Sequence, residues 1–317
     1  MREGYIKTLL ILHIIPVVNV LGELCMNDSR RSDQYDSQQK LLNDLNDVNW
    51  DVRAKAVFEL KKYDDPKVMD ALFHTLDDVN ENVWLSVVNV LRDKKDMRLI
   101  DTLVKTLLED KRDELRWHAA HVLGDIGDAK TVDPIIKALN DPCEKVRIDA
   151  SRALGKIGDV RAVDALISML EDQSSTVRKE AISSLNAIFP PKTIDALVNS
   201  LEDEDGRVRS LAAILIGKTG KKDAIKYLIK LLDDDEYVVR VSAVYALNKI
   251  NGPQTVEPLI QCLKDPYWEV RNDAAVALGK LGDSRSIVPL MDMLQDENAF
   301  VRRSVVKALE NFNIFKK

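Results

Sequence analysis

An arginine preceded six residues earlier by an aspartate recurs through almost the whole chain. The arginines are Arg53, Arg116, Arg147, Arg178, Arg209, Arg240, Arg271 and Arg302, each following a valine except Arg116, which follows Leu115. Trp84 fills the one vacant slot, and the slots lie 31, 32, 31, 31, 31, 31, 31 and 31 residues apart. The aspartates are Asp47, Asp78, Asp110, Asp141, Asp172, Asp203, Asp234, Asp265 and Asp296. A fixed period of this length means stacked copies of one supersecondary unit, none of which can bury its apolar faces alone.

Each unit reads as two helices. VDALISMLED, from Val163, places Val163, Leu166, Ile167 and Leu170 at helical spacing before a polar turn. VRIDASRALGKIG, from Val146, puts Val146, Ala150, Ala153, Leu154 and Ile157 on one face of a second helix. Gly158-Asp159, like Gly127-Asp128 and Gly282-Asp283, supplies a C-terminal glycine stop. Pro134, Pro258 and Pro289 fall in first turns of first helices, where a missing N–H costs little. The expected fold is all-α: an α-α superhelix of nine two-helix repeats over residues 37–317.

The pattern PLIxxLxDxxxxVRxxAAxALGxIGD resembles the HEAT-like repeat of the phycobilin-lyase type, over about residues 37–314. The resemblance implies a right-handed solenoid, and a ladder in which the nine aspartates and eight arginines bond along the stack. An Arg fork suits that role because it can grip a carboxylate and backbone carbonyls together. Taken as solvent-exposed pairs, such rungs contribute only about 0–1 kcal/mol each, so their expected role is to fix register. Trp84, Arg92 and Lys95 depart from the pattern and point to an irregular second repeat.

By the same resemblance the second helices face the concave side. Six slots per repeat around each Val-Arg give 54 positions, which hold seven of the 17 aromatics, a more than twofold enrichment. The expected partner-binding residues are Trp50, Phe58, Leu85, Trp117, His118, His121, Ile148, Leu211, Ile214, Tyr237, Tyr245, Trp268 and Phe300. Exposed aromatic anchors on a rigid surface suit a protein or peptide partner; the competing reading is ordinary packing between neighbours. The same slots carry 12 Lys or Arg and 11 Asp or Glu, and the whole chain has a net charge of −6. No basic stripe offers itself to a phosphate backbone, which disfavours nucleic acid.

Catalytic chemistry finds little support. His118 and His121, three apart beside Trp117, Asp113 and Glu114, form the one chemical cluster, and they lack the third ligand and supporting shell that a metal site needs. Deoxyhypusine hydroxylases are similar in architecture and bind iron through His-Glu dipeptides, of which this chain has none. No GxSxG, P-loop or GxGxxG occurs. Cys25, Cys143 and Cys262 stand far apart with no CxxC pair. No catalytic residue, metal or cofactor is expected, and the function expected is a non-catalytic scaffold. The alternative is a lyase-like or oxidoreductase-like enzyme holding a chromophore or a metal-dependent substrate near Trp117, His118 and His121.

The first residues stand apart. Thr8 to Gly22 reads TLLILHIIPVVNVLG, a hydrophobic leader within residues 1–26 and shorter than the about 20 residues a membrane span needs. It resembles a secretory h-region, with Val20 and Gly22 as small residues before a cleavage point. The equal competitor is initiation at Met26, followed by a polar lead-in over residues 27–36. The first reading exports or anchors the protein through residues 1–24, giving it its only expected route to a membrane; the second leaves it cytoplasmic.

Overall fold

The computed structural model describes residues 35–94, 96–188 and 194–312. The leader, residues 27–34 of the lead-in, Cys25 and Lys95 lie outside them. Among the described residues the fold is all-α, built of helix pairs at the repeat period. The chain divides between Asp101 and Thr102 into two compact units.

The first unit holds α1 (residues 35–44), α2 (Trp50–Leu60), α3 (Pro66–Thr75), α4 (Glu81–Asp93) and the start of α5 (Arg98–Glu109). Its helices begin as their sequences dictate. The side chains of Asn49, Asp65 and Asn80 each accept the backbone N–H two residues on, at the first turns of α2, α3 and α4. Trp84 is buried on α4 beside buried Val83, Val87 and Val88.

The second unit continues with α6 (Asp113–Ile126), α7 (Val132–Ala138), α8 (Glu144–Ile157), α9 (Val163–Ser168), α10 (Ser175–Ile188), α11 (Ile194–Asn199) and α12 (Gly206–Thr219). It ends with α13 (Ile225–Lys230), α14 (Tyr237–Ile250), α15 (Val256–Cys262), α16 (Trp268–Leu281), α17 (Ile287–Asp292) and α18 (Ala299–Glu310). From α7 on, the odd-numbered helices are only six or seven residues long, most flanked by single 3-10 turns, while the even-numbered helices from α6 run 12 to 14 residues. The valine before each ladder arginine (Val146, Val177, Val208, Val239, Val270 and Val301) is fully buried, as are the alanines one turn on, Ala150, Ala181, Ala212, Ala243 and Ala274. Successive second helices pack directly on one another from α6 through α18.

Two glycine roles set that spacing. Gly158 ends α8 in the left-handed conformation (φ 74°), which a Cβ disfavours, and Gly127 and Gly282 do the same for α6 and α16. Gly155, three residues earlier, acts through close approach: a Cβ there would lie 2.7 Å from Ser184 Oγ and 2.8 Å from its Cα on α10.

Candidate binding face of the second helices

The residues that hold the face in place are those of the ladder. Arg147 donates from Nε to Asp172 Oδ2 (2.7 Å) and from Nη2 to Asp172 Oδ1 (3.1 Å), while Nη1 donates to the Asp141 carbonyl of its own repeat (2.9 Å). Asp172 Oδ1 also accepts the Ser174 amide at 2.8 Å. Each rung thus joins one guanidinium to two consecutive inter-helix loops. Seven such rungs are present among the described residues: Arg53–Asp78 in the first unit, and in the second Arg116–Asp141, Arg147–Asp172, Arg178–Asp203, Arg209–Asp234, Arg240–Asp265 and Arg271–Asp296.

The rungs are more buried than solvent-exposed pairs. The Arg147 and Asp172 side chains are each 7% exposed, because the stacked loops close over them. Bonding to Asp203 holds Arg178 above its ordinary value. Burial pushes Asp296 upward, but the Arg271 fork and the Asn298 amide outweigh it and hold the carboxyl below the usual range. Asp47, Asp110 and Arg302 do not complete rungs of this kind. The slot one repeat before Asp110 holds Trp84, and Arg112 in its own loop grips Asp110 instead (2.9 Å), lowering its pKa. Arg302 donates to the Asp296 and Glu297 carbonyls, and Asp47 accepts the Asn49 amide.

The residues expected to meet a partner fall into distinct groups. In the first unit Trp50 and Phe58 are exposed on α2, 43% and 68%, and Leu85 is half-buried on α4. In the second unit Trp117, Ile148, Leu211, Ile214 and Tyr245 are half-buried. Tyr237, Trp268 and Phe300 are exposed. His118 departs from expectation. It is buried, its ring 3.5 Å from that of Trp117, and the same second slot after the arginine is buried at Asp149 and Ser242.

His121 faces carboxylates rather than its histidine neighbour. Nδ1 lies 3.4 Å from Asp149 Oδ1 and Nε2 3.6 Å from Asp125 Oδ2. Arg152 bonds Asp149 (2.7 Å) and Glu180 (3.0 Å), and Lys156 bonds Asp125 (2.7 Å). Ion pairs therefore link α6 to α8 and α8 to α10 across repeats. Among the described residues no three His, Cys, Asp or Glu side chains are grouped to hold a metal ion. Cys262 is buried, which pushes its thiol up to about 12, with Asp265 and Asp233 adding to the rise.

Exposed aromatic surface concentrates in the last three repeats. Tyr237 and Tyr267 stack with ring centroids 4.4 Å apart and planes 6° apart, and Trp268 stacks on Phe300 at 5.5 Å. Tyr267 and Trp268 are chain neighbours, so the two stacked pairs adjoin along the chain and form a stripe in two halves across three repeats. Tyr267 escapes the slot-based reading because it sits at the N-cap of α16, just ahead of the helix. The sequence signal that finds it is the Tyr-Trp pair itself.

The family model described as HEAT repeats matches residues 39–113, 100–186, 166–248, 194–275 and 232–310. Among solved structures, YibA of Escherichia coli is 26% identical with a TM-score of 0.58, over 80% of this chain and 95% of that one. Kap95p, solved with RanGDP, is 14% identical with a TM-score of 0.59, over 86% of this chain and 43% of that one. The CpcE–CpcF complex of phycocyanin lyase from Nostoc is 23% identical with a TM-score of 0.43, over 67% of this chain and 94% of that one. No curated protein sequence matches the chain.

Proposed function

Because the chain belongs to the HEAT-repeat family, we propose that it is a non-catalytic scaffold whose second-helix face binds a protein or a peptide. The observation that carries this reading is the stripe of Tyr237, Tyr267, Trp268 and Phe300, exposed and stacked across three repeats. Stacked rings on a laddered surface supply large apolar contact at low entropic cost, the usual currency of polypeptide recognition. Half-buried Tyr245 on α14 adds to the same three repeats, and half-buried Trp117 places a further ring on the earlier second helix α6.

Other partners fit less well. Arg152 and Lys156 on α8 are paired with carboxylates of α6, α8 and α10, and both signs mix on these helices rather than forming the basic track a phosphate backbone needs. Among the described residues no helix is long and apolar enough to cross a membrane. A chromophore or metal-dependent site at Trp117, His118 and His121 would need ring nitrogens facing outward together, whereas His118 is buried and His121 lies between two aspartates.

The test is affinity capture from the source lysate with the full chain as bait, beside Trp117→Ala and Trp268→Ala variants shown by circular dichroism to keep their helix content. A partner retained by the parent and lost by the variants is the expected result. Equal retention by folded variants overturns the assignment.

A further inference from the structure

Three windows explain what the aromatic stripe is suited to hold. Between ladder aspartate and ladder arginine the last three repeats read DEYVV, PYWEV and ENAFV. These contain the four stripe rings, four acids (Asp235, Glu236, Glu269 and Glu297) and no lysine or arginine. The corresponding windows of the third and fourth repeats, KRDEL and PCEKV, mix both signs. Two of the four, Glu236 and Glu297, meet ladder arginines at 3.3 Å, Arg209 and Arg271 respectively, whereas Arg240 forks onto Asp265 rather than onto Asp235 or Glu269.

One pair of acids stands in an arrangement a helix ordinarily avoids. Glu269 and Asp273 are four residues apart on α16, where like charges destabilise. Asp273 accepts a hydrogen bond from Asn272 Nδ2 (3.0 Å), and among the described residues no lysine or arginine bridges it to Glu269. Its pKa is raised, by burial first and then by Glu269. The stripe also shows that its rings accept a cation: the Arg240 guanidinium lies 5.4 Å from the centroid of Tyr267.

We propose that the last three repeats form a docking site for a cationic polypeptide segment, its Arg or Lys side chains lying over the stripe rings and against the carboxylates of Glu269 and Asp273. The proposal rests on the scaffold reading and names the chemistry of the partner. Second helices packed roughly 8–10 Å apart match about three residues of extended chain, so one cation in every three residues is the spacing that fits. A second copy of this chain is a poorer occupant, since its net charge is −6.

The probe is a fluorescein-labelled peptide with arginine at every third position and glycine between, titrated with the full chain and read by anisotropy; counterparts carry glutamate or tyrosine in place of arginine. The arginine peptide is expected to bind and the glutamate and tyrosine peptides to bind at least about fivefold more weakly. Trp268→Ala should weaken the arginine peptide by at least about fivefold, from the lost cation–ring contact. The isosteric pair Glu269→Gln with Asp273→Asn should weaken it by a similar factor and flatten its salt dependence. Asp195→Asn with Asp223→Asn, both exposed on first-helix segments of the same unit, should leave affinity unchanged.

Equal loss in that control pair would mean attraction to net negative charge, and would overturn the proposal. Tyrosine-peptide binding as tight as arginine, and lost with Trp268→Ala, would leave the scaffold standing and remove the cationic partner. No arginine-peptide binding, with a lysate partner still lost in Trp268→Ala, would do the same. Loss of both kinds of binding from the parent would remove both.

Discussion

A ladder arginine is worth what its last bond is worth. Replacing Arg147 with Ala strands the Asp172 carboxylate among stacked loops, and removing one partner of a largely buried, charge-assisted pair should cost about 2–4 kcal/mol in urea unfolding. Arg302→Ala, with only the Asp296 and Glu297 carbonyls to lose, should cost about 1 kcal/mol. Carboxylates on the same surface should respond to pH with opposite signs. Asp296 titrates below its ordinary value, so its contribution to stability is present above that value and is lost as pH falls through the lowered one. Asp273 titrates above its ordinary value, so its penalty is absent in acid and fully present above the raised value. Asp273→Asn should therefore raise the melting temperature at neutral pH, and Asp296→Asn should lower it, both differences vanishing in acid. The aspartate and arginine positions are legible in sequence because they repeat. The burial of His118 and the stacking of Tyr267 on Tyr237 are not, because both depend on what the adjacent repeat presents.

At the scale of the helix, two glycines three residues apart in the ALGKIG segment should fail for different reasons. Gly155→Val drives a side chain into Ser184, whose hydroxyl donates to the Ser151 carbonyl at 2.8 Å, and should cost about 2–3 kcal/mol. Gly158→Ala meets open space and should cost only about 1 kcal/mol from the left-handed backbone. Thermal unfolding of the two variants checks the order. Glu310 occupies in α18 the slot that Gly155 and Gly279 occupy in α8 and α16, and it is exposed. This second helix thus carries a charge where α6, α8, α12 and α16 carry a glycine that admits a neighbour. Helix pairs and their glycine stops were readable from periodicity. The short first helices with their 3-10 turns were not, since a six-residue helix has too little length to show a period.

For the molecule as a whole, the ladder links every repeat of the second unit, from Arg116 to Asp296, by contacts that reach only one repeat ahead. Excising residues 173–203 would join Asp172 directly to Glu204, leaving Arg147 an aspartate to fork onto and Arg209 a carbonyl to meet. That shortened chain should fold with unchanged helicity per residue and a single cooperative transition for the unit, measured by circular dichroism. Lengthening the cut by two residues, to 173–205, would leave Arg209 only four residues after Asp172, misplacing the rung, and should unfold the unit. The 31-residue spacing thus has a genetic reading as well as a structural one: a copying slip of one unit yields a chain that still folds, so repeat number can drift freely, while any other slip is purged.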